Sequence, residues 1–475
     1  MSALGAVRRL HRRERLSAAA RREDRDQRQR LHDATFGLAE TKPHLSAHQV
    51  VTPAQVRMGK LAVLVMLVVL WAFPHTALQI AVTVLSAGFV YSVILRCMLA
   101  AAGTPVSAEM ACDEALPLYS ILVPVYHEAG MIPQLARALA ALDYPRHKLD
   151  ILLVVEEDDG ETRTAVRLAG LNAVVVPPSE PRTKPKACNY ALQQARGEFV
   201  VVYDAEDRPE PDQLRKAVAA FRKDPGMTCV QARLAIDRRR VWLTQMFAID
   251  YDLWFRLLLP GLSRLGGPIP LGGTSNHFRR TALIEVGAWD PFNVTEDADL
   301  GMRLARLGHR VSILDSVTYE EAPERLGSWL RQRTRWMKGY MQTLLVHGRN
   351  PAALVGEIGG GGVSLILAFL GGAVWSSLVN PVMWILCFGA AALAPGETGL
   401  LVWLARISGS ALLMANAALI VLAMARARRR AVRTAFVLTY PLYWLLISVA
   451  AYRAVWQLLR EPFLWEKTPH GAARR

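Results

Sequence analysis

The chain has 475 residues, 52% hydrophobic, 20% charged and 8% aromatic, with 56 Lys/Arg against 41 Asp/Glu and a net charge of +15. That length allows about three units of average domain size, and the low charged fraction with a mean hydropathy of +0.18 excludes a mainly disordered chain. The 33 Gly follow no three-residue period and the 5 Cys show no CxxC or zinc spacing, which excludes collagen-like, disulfide-scaffold and zinc-ribbon classes.

The basic balance asks for an anionic partner: nucleic acid, anionic lipid or a phosphate-bearing substrate. Residues 1–60 carry 13 Lys/Arg against 6 Asp/Glu, concentrated from Arg8 to Arg30, and residues 1–56 read as a basic arm, disordered or surface-helical. The arm has no interleaved aromatics, so no nucleic acid partner is expected. No secretory leader is expected either, because the apolar stretch begins only at Leu61. From Leu61 to Leu95 runs a charge-free stretch of 35 residues broken at Pro74-His75, against about 20 for one span. Residues 57–99 are therefore expected as a pair of helices, with Arg57, Lys60 and Arg96 all on the cytoplasmic side.

Residues 100–345 change character. Short apolar runs at Tyr119–Val125, Asp150–Val155, Ala173–Val176 and Glu198–Tyr203 alternate with amphipathic stretches such as Met131–Leu142 and Thr162–Leu171. The alternation predicts parallel βαβ units, hence an α/β domain. Apolar segments return at Val363–Leu393, Gly399–Ala425 and Thr434–Leu459, so residues 346–460 are expected as membrane helices and 461–475 as a basic tail. The total is five or six spans, depending on whether Val363–Leu393 is one helix or two.

Acids gather at the carboxyl ends of the strands, where open parallel sheets bind ligands. The groups are Glu128; the run Glu156-Glu157-Asp158-Asp159; Asp204-Ala205-Glu206-Asp207; and Thr295-Glu296-Asp297. Each alone could be a helix cap; four together are hard to read as caps. Carboxylates spaced as in DAED converge on one hard cation, and Mg²⁺ or Mn²⁺ commonly takes one or two carboxylates together with substrate phosphates. No GxxxxGKS/T and no GxGxxG after the first strand occurs, so a P-loop or a dinucleotide fold is not expected. Asp297 and Asp299 are equal candidates for a base on spacing alone, and Asp299 also reads as a solvated first-turn acid. Between Arg325 and Arg349 stand six Lys/Arg and no acid, with Trp329 and Trp336 on one helix face, which suits an interfacial helix on anionic lipid.

VPVYHE at 123–128, KPKACN at 184–189, DAED at 204–207, TED at 295–297 and QRTRW at 332–336 occur in this order. Together they resemble the membrane-embedded family-2 glycosyltransferases of the cellulose-synthase-like kind, over residues 55–470. The resemblance implies a GT-A nucleotide-sugar-binding domain inserted between transmembrane helices. Glu128 and Glu157, or a neighbour of Glu157, would hold uridine, with Lys184 near the nucleotide. Asp204 with Glu206 or Asp207 would hold Mg²⁺ or Mn²⁺, and Asp297 would be the general base. Gln332, Arg335 and Trp336 would serve the diphosphate and the acceptor sugar. The loop from Gly272 to His277 matches the family's acceptor loop in position, and His277 reads as a neutral hydrogen-bonding residue rather than a metal ligand. The tail from Trp465 to Gly471 is similar to tails of bacterial exopolysaccharide synthases and is expected as a compact plug. No PilZ-like regulatory domain is expected.

The implied activity is an inverting, processive β-glycosyltransferase in the bacterial inner membrane, its catalytic domain cytoplasmic. It would use a UDP-sugar, UDP-glucose first, and extend a polysaccharide acceptor, with export partners beyond the bilayer. Two alternatives stay open: transfer of one sugar to a lipid, and a non-catalytic membrane subunit that keeps the fold.

Overall fold

The computed structural model describes residues 23–103, 116–393, 399–426 and 434–466. Residues 1–22, 104–115, 394–398, 427–433 and 467–475 lie outside them.

From residue 23 on the arm is helical, one of the two readings its composition left open. Residues 23–41 are a helix, α1. Leu31, Ala34 and Leu38 recur at helical spacing and make a narrow apolar stripe; Ala34 and Leu38 are buried against the rest of the chain. The stripe is easily overlooked beside so many arginines.

Helices α2 (Pro53–Ala72) and α3 (Pro74–Ala102) follow, joined at Phe73. Thr52 and Gln55 form a capping box at the start of α2, and Pro74 opens α3 where its missing N–H costs nothing. With Pro351–Leu386, Val402–Ala425 and Phe436–Arg460, five helices among the described residues are long and apolar enough to cross a membrane. The stretch Val363–Leu393 is thus part of one long helix, not a hairpin, although Gly359 breaks its backbone with φ 72°.

Between the helices lies an eight-stranded sheet in the order β3-β2-β1-β4-β7-β6-β8-β5. The strands β1 (Tyr119–Val125), β2 (Leu149–Glu156), β3 (Ala173–Val176) and β4 (Phe199–Val202) are mutually parallel, as the alternation predicted. The other half is mixed: β7 (Asn276–Arg279) runs antiparallel between β4 and β6 (Met227–Ile236), β8 (Arg310–Glu320) runs parallel to β6, and β5 (Arg208–Pro209) pairs antiparallel with β8. Alternation along the strands makes two cores. Ile121, Val123, Leu153, Val155 and Val201 face one; Leu122, Val154 and Val202 face the other. The second core continues through α8 (Trp242–Tyr251) and α9 (Leu259–Arg264) to Leu95 and Leu99 of α3 and Tyr440 of the last helix, so domain and membrane helices share one interior.

Helix α12 (Leu326–His347) turns Trp329 inward instead of onto lipid. Trp329 is fully buried, and its indole donates to the Tyr443 hydroxyl at 3.3 Å. The tryptophan face turns into the protein because the last membrane helix covers it.

Candidate functional site

A cavity of about 490 Å³ runs from the ends of β1 and β4 into the membrane helices. It collects most of the candidate residues: Glu128, Lys184, Asp204, Glu206, Asp297, Gln332, Arg335 and Trp336 all line it.

At one end, the backbone after β1 turns sharply at His127 (φ 52°). Asp159 accepts from the His127 N–H and caps the next helix through the Thr162 N–H at 3.1 Å, while Thr162 Oγ1 accepts from the Glu128 N–H at 3.1 Å. Asp159 therefore fixes the loop that presents Glu128. Within the acidic run only Glu156 reaches the cavity, paired with Lys186 at 3.2 Å; burial raises its pKa and Lys186 opposes the rise. Glu157 is exposed outside the lining, and Asp158 pairs with Arg182 at 2.7 Å. Strand alternation places Glu156, the last residue of β2, on the cavity face and sends its neighbour outward.

Lys184 begins the helix Lys184–Leu192. Its ammonium donates to Asp204 Oδ1 at 2.5 Å and to the Gly273 carbonyl at 2.6 Å. Burial works against this charge, yet Asp204, Asp297 and Glu296 hold its pKa well above the usual lysine value. The three acids of DAED separate here. Glu206 lines the cavity with Asp204. Asp207 turns away and closes the turn, accepting from the Asp204 N–H at 2.7 Å and from the Thr274 hydroxyl. Burial, then the Asp204 charge, pushes its pKa well up.

Asp297 stands in the first turn of the helix α11 (Glu296–Arg306). Trp289 Nε1 donates to its Oδ1 at 3.0 Å, and a Cβ built on Gly273 would stand 3.9 Å from its Oδ2. Burial, followed by the charges of Glu296 and Asp204, raises its pKa well above the ordinary range, with Lys184 opposing. Asp299 is not the solvated acid expected: it is fully buried between Arg303 at 2.8 Å and His347 at 2.9 Å, which keep its pKa low against the effect of burial.

Helix α12 crosses above this turn. It approaches closely at Gly339, where a Cβ would lie 2.2 Å from Thr295 Oγ1. Arg335 donates to the Val294 carbonyl at 3.1 Å and lies 4.6 Å over the Trp465 ring. Burial lowers its pKa, while Glu296, Asp204 and Asp297 supply the compensating charge. Trp336 packs with Phe247 and Tyr251, ring centroids 5.8 and 6.3 Å away. The start of the tail is pinned beside them: Lys338 donates to the Leu464 carbonyl at 2.8 Å and Arg453 pairs with Glu466 at 2.6 Å. Residues 467–471 of the expected plug lie outside the described residues.

Some lining residues escaped sequence reasoning. Arg333 is buried between the rings of Phe247 and Trp336, 4.5 and 4.6 Å from their centroids, and pairs with Asp250 at 2.6 Å. Glu320 ends β8 and accepts from the Tyr251 hydroxyl at 3.1 Å; burial, then Asp204 and Glu206, pushes its pKa up to about 8. An acid after a strand was the very signal used elsewhere, but β8 itself went unrecognised. His277 sits inside β7, 2.7 Å from the Tyr119 hydroxyl, and burial depresses its pKa to about 3, so it is neutral as expected.

The donor set fits a divalent ion bound together with a substrate. Among the described residues no three His, Cys, Asp or Glu side chains converge as a protein-only metal site. Asp204 and Glu206 both line the cavity, and the lysine ammonium on Asp204 Oδ1 marks a position that attracts a cation. Two carboxylates completed by phosphate oxygens are what Mg²⁺ or Mn²⁺ takes.

A family model described as "Glycosyltransferase like family 2" matches residues 117–339. A beta-monoglucosyldiacylglycerol synthase of Trichormus variabilis is 30% identical over 242 residues, 49% of this chain and 50% of that protein. A poly-beta-1,6-N-acetyl-D-glucosamine synthase of Staphylococcus aureus is 24% identical over 229 residues, 48% of this chain and 55% of that protein. The chain thus spans about half the length of the curated relatives it matches. In fold it is similar to a mannosyltransferase of Pyrobaculum calidifontis solved with GDP-Man and Mn²⁺, at a TM-score of 0.53 and 23% identity, covering 81% of this chain and 99% of that one.

Proposed function

We propose that residues 117–339, which the family-2 glycosyltransferase model matches, are a glycosyltransferase domain of GT-A fold, and that the chain is an inverting, processive β-glycosyltransferase. It takes a UDP-sugar, UDP-glucose first among candidates, and extends a polysaccharide at the bacterial inner membrane. One observation carries this reading: a single cavity joins Asp204, Glu206, Arg335 and Asp297 to a membrane-level lining of Trp254, Tyr340, Phe369, Tyr440 and Trp444 with Ser376, Asn380 and Asn416. Aromatic faces and neutral amides and hydroxyls suit a sugar chain.

In this mechanism Glu128 and Glu156 hold the nucleoside end. Asp204 and Glu206 would hold Mg²⁺ or Mn²⁺, which supplies Lewis-acid stabilisation of the diphosphate leaving group. Arg335 adds a planar guanidinium on the same side. Trp336 stacks the acceptor sugar beside Asp297. Asp297 takes the proton from the acceptor hydroxyl as its oxygen attacks the anomeric carbon, and UDP leaves with the bonding pair on the opposite face. One displacement turns an α-linked donor into a β-linked product. Arg57, Lys60 and Arg96 on the catalytic side favour a cytoplasmic domain.

A second reading, transfer of one sugar to a lipid, is favoured by the apolar part of the same lining, Leu95, Leu258, Ile420 and Ile447, and by the glycolipid synthase among the relatives. Incubation of the purified protein with radiolabelled UDP-sugars and Mn²⁺ or Mg²⁺, followed by product sizing, separates the two. Polymer is the expected product; a single added sugar in the organic extract would establish the lipid acceptor. Absence of UDP release with every donor and metal would leave a non-catalytic subunit.

A further inference from the structure

The carboxylate assigned as the base does not stand alone. Its Oδ1 takes the Trp289 indole N–H at 3.0 Å, which leaves Oδ2 on the Gly273 side. Trp289 is buried and follows two residues with positive φ, Gly287 at 89° and Ala288 at 50°. Alanine in that region is strained, so the turn from 286 to 290 needs outside support, and it has it on every side.

Asn189 grips the backbone of Trp289 from both ends: its Oδ1 accepts the Trp289 N–H at 3.1 Å and its Nδ2 donates to the Trp289 carbonyl at 2.8 Å. The same amide group donates to the Ala34 carbonyl of α1 at 3.0 Å. Leu38 of α1 packs on Gly287 so tightly that a Cβ there would come within 2.6 Å of its Cδ1. One residue beyond Trp289, the Asp290 carboxylate accepts from the Ala47 N–H at 2.5 Å and the Ser46 hydroxyl at 3.3 Å. On the other flank Arg303, paired with Asp299 two residues from the base, donates to the Val286 carbonyl at 2.9 Å. Residues 34–47 lie outside the part of the chain that the family model matches.

We propose that Trp289 is a positioning residue that sets the orientation of the Asp297 carboxylate, and that the folded part of the N-terminal arm, through Ala34, Leu38 and Ala47, holds Trp289 in place. The arm is then part of the catalytic unit although it touches no substrate. This rests on the reading of Asp297 as the base.

The test is turnover per UDP-binding site, measured on the full-length protein, for Trp289→Phe, Asn189→Ala, Asp290→Ala and Asp297→Asn. Counting sites by UDP binding removes any misfolded fraction from kcat. Trp289→Phe keeps an aromatic ring but loses the pyrrole part of the indole and with it the N–H; its kcat is expected to fall by about 10- to 100-fold, the scale of a misplaced reacting group, with donor KM unchanged. Asn189→Ala and Asp290→Ala leave the indole in place and loosen its support, so each should lower kcat less, again at constant KM. Wild-type turnover in Trp289→Phe, or a rise in donor KM matching the loss of kcat, would overturn the assignment. Wild-type turnover in Asp290→Ala and Asn189→Ala together would take the arm out of it. An inactive Asp297→Asn beside a fully active Trp289→Phe sinks this inference alone, whereas an active Asp297→Asn removes the base and the inference together.

Discussion

The two ends of the cavity are built in different ways. The end proposed for the donor is made from the parallel half of the sheet: Glu128, Glu156 and Asp204 each stand within a few residues of the end of their own strand, and backbone hydrogen bonding fixes where they point. The end proposed for the acceptor has no strand behind most of its parts. Asp250 comes from α8, Arg333 and Trp336 from α12, Tyr440 and Trp444 from the last membrane helix and Trp465 from the tail. Asp250 and Tyr440, 190 positions apart, meet at 3.3 Å. The donor end is therefore a property of the domain, and the acceptor end a property of how the membrane helices pack on it. Substitutions at the first should change donor and metal dependence; substitutions at the second should change acceptor use and stability while leaving UDP binding alone.

The largest expected effect is at the donor end, where neighbouring acids have been given opposite tasks. Glu206 lines the cavity, whereas Asp207 is tied to the Asp204 N–H and the Thr274 hydroxyl. Glu206→Ala should lower turnover by about 100-fold or more, the scale of losing part of a bound ion's charge stabilisation, and should raise the Mn²⁺ concentration needed for half activity. Asp207→Asn should retain turnover to within about tenfold and hold its thermal stability, because the amide oxygen can still accept from the Asp204 N–H and the Thr274 hydroxyl while the buried charge is removed. A metal titration in which Asp207→Asn shifts and Glu206→Ala does not would exchange the two roles.

The same contrast explains what could be read from sequence. The strands Tyr119–Val125 and Ala173–Val176 were legible to the residue, because buried parallel strands are short continuous apolar runs bounded by turns. Strands β6, β7 and β8 were not, since they mix polar and apolar residues: Thr228, Gln231 and Arg233 in β6, Asn276 and His277 in β7, Ser312, Asp315 and Ser316 in β8. With β8 unseen, Glu320 at its end had nothing to mark it. Within the acidic run of 156–159 the register could not be chosen, because which residue ends β2 depends on pairing with β3, a tertiary fact. Asp299 looked like a solvated acid because its partner His347 is 48 positions away. The family motifs supplied Asp297, Arg335 and Trp336, but no local pattern could have supplied Arg333 or Trp289, whose roles depend on neighbours from other elements.

Arg333 is the sharpest probe of the acceptor end. It joins Asp250 at 2.6 Å and the Tyr443 hydroxyl at 2.8 Å, and it is sandwiched by Phe247 and Trp336. Arg333→Met keeps the volume and removes the charge, leaving Asp250 largely buried without this partner. Loss of up to about 3 kcal/mol of stability is expected, since breaking a buried pair strands the remaining charge. Turnover should become limited by acceptor, with about a tenfold higher acceptor requirement as the Trp336 ring loses its support, while UDP affinity stays at the wild-type value. A change in UDP affinity larger than the change in acceptor dependence would show that the two ends are not separable.

The smallest effect is expected at the seam between the halves, and it is read with pH. His277 lies in β7, the strand that joins the parallel half through β4 to the mixed half through β6. Its ring sits between the Tyr119 hydroxyl at 2.7 Å and Gln213 at 3.2 Å. Burial depresses its pKa from 6.5 to about 3 in the folded protein. A histidine whose folded pKa lies below its unfolded value binds fewer protons when folded, so its contribution is intact above pH 6.5 and is lost as the pH falls towards 3. The slope is about 1.4 kcal/mol per pH unit at most, or roughly 2 kcal/mol between pH 6.5 and pH 5. His277→Gln keeps an amide donor and acceptor at the site and removes the titration. Near pH 7.5 the variant should melt a few degrees below wild type. By pH 5 the gap should close or reverse, because only the wild type carries an acid penalty at the seam. Parallel melting curves for the two proteins across this range would show that the ring is not the group that titrates, and that acid loosens the sheet at some other point than the junction of its two halves.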